Sequence, residues 1–331
     1  MDFPPLPERS GVSPDQFRDE IVPAGEPVVL RGIASHWPIC RAADDADALS
    51  GMLQKAAGPE PVPVSLLPER EGGRFFYAPT MRGMNFQVQR APFAAFIAQL
   101  FHGDHPGTIY MGSRPVSECA PGLAGSLDLA FVPDGTEPRL WIGGRTVVST
   151  HHDESSNIAC VAAGRRRFTL FPPEQLRNLY PSPMEYTPAG PQISMVDLAA
   201  PDFERFPRFR EALTTARTAE LGPGDGIYIP PLWWHDVRAQ SDVNVLVNFW
   251  WRDRHPISRE PIEAFVLSLL ALRQLPAPEK AAWRDMFDYF IFQTEGDPMA
   301  HLPEEDRGVL GTITRERADQ IWSFFRDMVS G

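Results

Sequence analysis

This 331-residue chain has only three cysteines, Cys40, Cys119 and Cys160, widely scattered and with no Cys-x-x-Cys pair. A disulfide framework needs an even set at framework spacing, so the chain reads as one for a reducing compartment. No apolar run approaches the roughly 20 residues that span a bilayer. The start, Met1-Asp2-Phe3-Pro4-Pro5, lacks the basic-then-apolar pattern of a secretory leader. A soluble cytoplasmic protein is the expectation. Basic residues are scarce too: 31 against 43 acidic ones, for a net charge of −12. Phosphate binding wants a basic face, so a nucleic-acid-coating role is disfavoured. Repeats, low-complexity tracts, a Ser/His/Asp set and a paired-carboxylate arrangement are all missing.

Proline is plentiful instead, with 35 residues, which favours turns, strand ends and loops over long helices. Ser13-Pro14 reads as a helix start, with Ser13 as N-cap and Pro14 at the first helical position. Pro27 to Gly32 reads as a short buried strand, and Gly107 to Gly112 as another. Phe93, Phe96, Ile97 and Leu100 fall at helical spacing. From about 139 to 253 the β signal dominates. Arg139 to Ile142, Gly143-Gly144 and Arg145 to Val148 give strand, turn and strand, and Ile158 to Phe171 around Ala163-Gly164 reads as a hairpin. A loop-rich stretch follows, then the turn Gly222-Pro223-Gly224-Asp225 and strands at Ile227–Ile229 and Val243–Trp250. Short strands between Gly/Pro turns predict a sandwich or barrel, with a jelly roll as one solution. Beyond His255 the pattern turns helical: Pro261 to Leu272, Lys280 to Phe292 and Arg315 to Met328 have broad apolar faces. Those faces either pack on the β core or, as favoured here, form a dimer interface.

Two segments carry chemistry, Ser149-Thr150-His151-His152-Asp153 and Trp233-Trp234-His235. Side chains i and i+2 of a strand share a face, so His151 and Asp153 can reach one metal ion while His152 points away. His235 follows a turn-strand-stop unit that puts it near another strand end. Two imidazoles and one carboxylate with the other positions open suit non-haem Fe(II) oxygenases. His-x-Asp alone is a weak motif; its place at a strand end beside an apolar hairpin strengthens it. Structural zinc sites close with four protein ligands, and only three candidates are present. His36, His102, His105, His255 and His301 lack a carboxylate at strand spacing and read as surface or turn residues.

Thr150-His151-His152-Asp153-Glu154-Ser155-Ser156-Asn157, Gly164 to Pro173, Leu179-Tyr180-Pro181, Gly222 to Asp225, Tyr228-Ile229-Pro230, Trp233-Trp234-His235 and Val247-Asn248-Phe249-Trp250 occur in that order. In this combination the chain resembles the cupin-like JmjC-type Fe(II)/2-oxoglutarate-dependent oxygenases, most closely their asparaginyl hydroxylase branch, the type that inhibits hypoxia-inducible factor. Pro27 to Gly32 with His36-Trp37-Pro38 resembles the N-terminal motif of the same group.

The resemblance implies a mainly β fold with flanking helices: a double-stranded β-helix (jelly-roll) core plus a C-terminal helical unit. It implies a catalytic domain over 1–255, with an N-terminal α/β part to about 105 and the core from 106, and a helical dimerisation region over 256–331. It implies His151, Asp153 and His235 on Fe(II), with 2-oxoglutarate as co-substrate and O2 as oxidant. Arg166 matches the basic residue, usually lysine, that meets the far carboxylate of 2-oxoglutarate. Strand parity agrees, since Arg166, Phe168 and Leu170 share one face and Arg165 and Arg167 the other. Tyr110 matches a second contact to that carboxylate, Asn157 and Asn248 lie near its metal-bound end, and Trp250 packs close to the metal. Val148 stands where the family has a threonine, so co-substrate grip is rearranged. The expected reaction is hydroxylation of a C–H bond on a protein side chain with release of succinate and CO2. The alternatives are a small-molecule or RNA-modifying oxygenase of the same type, or a non-catalytic cupin that binds metal and a metabolite.

Overall fold

The computed structural model describes residues 3–103, 105–188, 190–252 and 260–330, in two compact units, Met1–Arg252 and Asp253–Gly331. The expected boundary at 255/256 lies outside the described residues. In the first unit the strands are β1 (Glu8–Ser10), β2 (Val28–Arg31), β3 (Val62–Leu67), β4 (Arg74–Phe75), β5 (Gln87–Ala91), β6 (Thr108–Pro115) and β7 (Pro138–Gly143). They continue with β8 (Val147–His152), β9 (Ser156–Ala163), β10 (Arg166–Phe171), β11 (Arg217–Leu221), β12 (Gly226–Ile229), β13 (Trp234–Ala239) and β14 (Asn244–Trp251).

Nine of these form one sheet in the order β1-β2-β12-β9-β14-β7-β6-β3-β5, and five form the other, β11-β10-β13-β8-β4. From β7 to β14 the chain steps between the two sheets at every turn but the one joining β10 to β11, the winding of a double-stranded β-helix. The hairpin expected at Ala163-Gly164 is therefore corrected: β9 pairs with β12 and β14, whereas β10 pairs with β11 and β13. Gly164 still makes a tight turn, at φ 74°, where an added Cβ would sit 2.5 Å from the Val243 carbonyl oxygen.

The apolar run of β9 explains its place. Every one of its residues is buried, as expected of a strand covered on both faces. Ile158, Cys160 and Ala162 face an outer core with Trp37, Phe93 and Phe96, while Ala159 and Val161 face Phe168, Leu170 and Ile227 between the sheets. The outer core is closed by the helices Ala46–Lys55 and Phe93–His102; the second buries Phe93, Phe96, Ile97 and Leu100, as their spacing predicts. Ser13 forms a full capping box with Gln16, and the helix it starts widens at Phe17–Ile21 into a π turn. The first hundred residues also supply β3 and β5, which extend the nine-stranded sheet and were not read from the sequence.

The second unit holds the helices Pro261–Leu272, Ala277–Phe290 and Arg315–Ser330. The first two bury no residue, and Leu270, Phe292 and Phe324 are 80%, 65% and 66% exposed.

Candidate metal centre

β8 and β13 are neighbours in the five-stranded sheet, and His151 and His235 are direct partners across them. Their ring centroids lie 4.2 Å apart. Asp153 follows just past the end of β8, with Oδ2 at 3.7 Å from His235 Nε2. One ligand atom from each of the three lies within 4.8 Å of the others, the one such group of His, Cys, Asp and Glu among the described residues. His152 faces the other way and stacks edge-on against Trp234, centroids 4.6 Å apart, as parity requires.

The surrounding hydrogen bonds fix the donors. His151 Nδ1 contacts the Ser149 carbonyl oxygen at 2.9 Å and His235 Nδ1 the Trp233 carbonyl oxygen at 3.0 Å. A carbonyl can only accept, so each Nδ1 carries the proton and each Nε2 keeps its lone pair for a metal. Burial and the neighbouring His151 push His235 down to about 4, so it stays neutral at physiological pH. Trp250 Nε1–H donates to Asp153 Oδ2 at 3.1 Å. The Leu232 amide donates to the Asp153 carbonyl oxygen at 2.7 Å, from a residue held at φ 66°. Such a conformation costs a non-glycine residue of order 1–3 kcal/mol.

The triad lines a pocket together with Tyr110, Val148, Asn157, Arg166, Asn248 and Trp250, among others. Trp141 Nε1–H donates to Asn248 Oδ1 at 2.7 Å, and Asn248 Nδ2 donates to Asn157 Oδ1 at 3.0 Å, which sets both amides. Arg166 enters from β10 and is only 3% exposed, yet its Nε and Nη2 find no hydrogen-bond partner; neither does the buried Tyr110 hydroxyl. Burial lowers the Arg166 pKa and pushes Tyr110 up to about 12. Orphaned donors on a buried cation are costly, and a carboxylate would satisfy them together. Every site residue read from the sequence thus meets in one place. Of the other histidines, His36 sits near Asp128 at the surface, His105 bonds within its own turn, and His255 lies outside the described residues.

A family profile described as a cupin-like domain matches residues 14–256. The chain belongs to the cupin-like, JmjC-type family. Among its relatives, lysine-specific demethylase 8 of Xenopus tropicalis is 28% identical over 254 residues, 74% of this chain and 52% of that protein. The human bifunctional peptidase and (3S)-lysyl hydroxylase JMJD7 is 26% identical over 285 residues, 76% of this chain and 83% of that one. Human HSPB1-associated protein 1 is 37% identical over a shorter 119 residues, 24% of its length. The chain thus spans about half of the first of these relatives and about a quarter of the third. Three features of this cupin-like site escaped sequence reasoning: the carbonyl partners of the two histidines, the indole bond to Asp153, and the Leu232 support. The unusual φ at Leu232 has no side-chain signature, and the other contacts depend on register.

Proposed function

We propose that this chain is an Fe(II)- and 2-oxoglutarate-dependent oxygenase that hydroxylates a C–H bond of a protein side chain. The observation that carries the reading is a three-donor cluster beside a buried, unpartnered Arg166 and Tyr110. His151, Asp153 and His235 would hold the ion; two imidazoles and a carboxylate leave positions open, as non-haem iron requires. Bound iron with 2-oxoglutarate and O2 supplies the oxidising power, which ends as hydroxylated product, succinate and CO2.

The chain's own part is placement. The carbonyls of Ser149 and Trp233 aim the two imidazoles, and Trp250 restrains the carboxylate so that it offers one oxygen steadily. Arg166 presents a planar fork to the far carboxylate of the co-substrate, and the Tyr110 hydroxyl, kept protonated by burial, donates beside it. Val148, Phe168 and Val237 line the pocket with apolar surface, which favours excluding water from it. A protein substrate fits the relatives named as a lysine-specific demethylase and a lysyl hydroxylase. Hydroxylation and demethylation separate by product mass on a peptide. The exposed apolar helices of the second unit support a homodimer formed through them, and a cytoplasmic location is part of the same proposal; among the described residues no helix is long and apolar enough to cross a membrane.

Anaerobic titration of the Fe(II)-loaded chain with 2-oxoglutarate tests the reading. A metal-to-ligand charge-transfer band is expected, lost in His235→Ala. Absence of the band in the unaltered chain would leave a metabolite-binding cupin as the better account.

A further inference from the structure

Arg139 stands next to three residues that line the pocket, Trp141, Asn248 and Trp250, without lining it itself. It is the second residue of β7, two before Trp141, and Leu140 and Ile142 beside it point into the outer core. By strand parity Arg139 therefore shares the inner face with Trp141, which lines the pocket. Its partner across the sheet is Asn248, another pocket residue. Its Nε donates to Ser113 Oγ at 2.7 Å and its Nη2 to the Ser113 carbonyl oxygen at 3.2 Å. Ser113 sits in the irregular stretch of β6 between Met111 and Arg114, at φ 21°, a strained backbone that presents both oxygens to one guanidinium. The guanidinium carbon lies 5.6 Å from the ring centre of Trp250, whose indole N–H holds Asp153.

The cation is thus fixed along one edge, while no carboxylate among the described residues pairs with it. Its neighbours at this end of the barrel are neutralised: Arg252 by Glu154 at 3.2 Å, and Arg114 by Glu118. A guanidinium with a free edge, held rigid beside an indole, is suited to a carboxylate arriving from outside.

We propose that Arg139 is a specificity-determining residue that receives a substrate carboxylate, so the segment presented to the metal carries an Asp or Glu side chain beside the reacting residue. This rests on the proposed reading that a peptide enters this pocket.

The test is selection of a random displayed peptide library on the full chain, beside Arg139→Gln and Arg139→Glu, with no turnover required. The unaltered chain is expected to enrich peptides with an acid at one fixed position. Arg139→Gln should lose that enrichment by roughly tenfold or more, the scale of one charge-assisted pair. Arg139→Glu should exchange the acid for Lys or Arg, a reversal that a merely structural role would not produce. Acidic enrichment surviving in both variants, or no enrichment by the unaltered chain, overturns the proposal. Selective peptide binding by a chain that gives no charge-transfer band would instead overturn the oxygenase reading and leave this one standing.

Discussion

Replacing Arg166 by Met should move stability and co-substrate binding in opposite directions. In the ligand-free protein the Arg166 guanidinium is buried with Nε and Nη2 unpartnered, and burial has already depressed its pKa. Each unsatisfied buried donor costs about 1–3 kcal/mol, and charged groups cost more. Methionine fills similar space without those donors, in a pocket that Val148, Phe168 and Val237 also line. The variant should therefore be about 1–3 kcal/mol more stable when empty, a Tm rise of roughly 2–10 °C for a unit of this size. Binding should suffer, because truncating one partner of a buried charge pair costs about 2–5 kcal/mol, or some 30- to 5,000-fold in Kd. Scanning calorimetry with and without 2-oxoglutarate, on Mn(II)-loaded protein, reads both quantities. A variant that melts lower when empty and still gains full stabilisation from 2-oxoglutarate would refute the argument. Its Arg166 would then have a structural partner, and the orphaned donors would have been misread.

Trp250→Phe keeps the ring but removes the N–H that holds Asp153, so metal affinity should fall about 10- to 100-fold by competition with a chelating dye; unchanged affinity would show that Asp153 needs no restraint. The metal-free chain should lose stability as pH falls from about 6.5 towards 4. An unfolded imidazole titrates near 6.5, whereas folded His235 resists protonation down to about 4, so across that window the unfolded chain binds more protons. Above it the two states match and the effect vanishes. Urea denaturation of His235→Gln at stepped pH should show a flatter profile, and an identical slope would exclude His235 as the source. Light scattering of the full chain should give a dimer mass. Leu270→Glu with Phe324→Glu should reduce it to a monomer, while a monomeric unaltered chain would remove the homodimer proposal.

The triad was legible because its signal is local: His151 and Asp153 obey the two-residue period of a strand, and His235 follows a turn and a short strand that needed no partner to recognise. Arg166 was legible by the same parity. Tyr110, Asn157, Asn248 and Trp250 came through resemblance alone, since an isolated Tyr or Asn on a strand carries no pattern. β11 was missed because Arg217–Leu221 buries only Ala219 and Leu221, too little alternation to stand out from the loops before it. The helix Ala46–Lys55 has a proper Asp45 cap, but its Ala, Gly and Gln residues blur the apolar stripe. Arg139 was read only as the first residue of a strand, because the lack of an acid partner is a property of space and not of spacing.

Pairing order was out of reach for a deeper reason. Ala163-Gly164 announces that the chain reverses, and a reversal is equally compatible with a hairpin and with a step to the opposite sheet. What the structure adds is burial: β9 is covered at every position, by the outer core on one face and by the core between the sheets on the other. The same logic settles which of two adjacent histidines reaches the pocket. Trp234 is only 1% exposed and pairs with His152 on the far side of the five-stranded sheet, packed among Phe171, Val196 and Phe209. Slipping the register by one residue would force that indole into the pocket and turn His151 out of it. The large apolar Trp234 beside His235, with His152 packed on it, therefore fixes the geometry that the ligands themselves, small and polar, have too little buried surface to enforce.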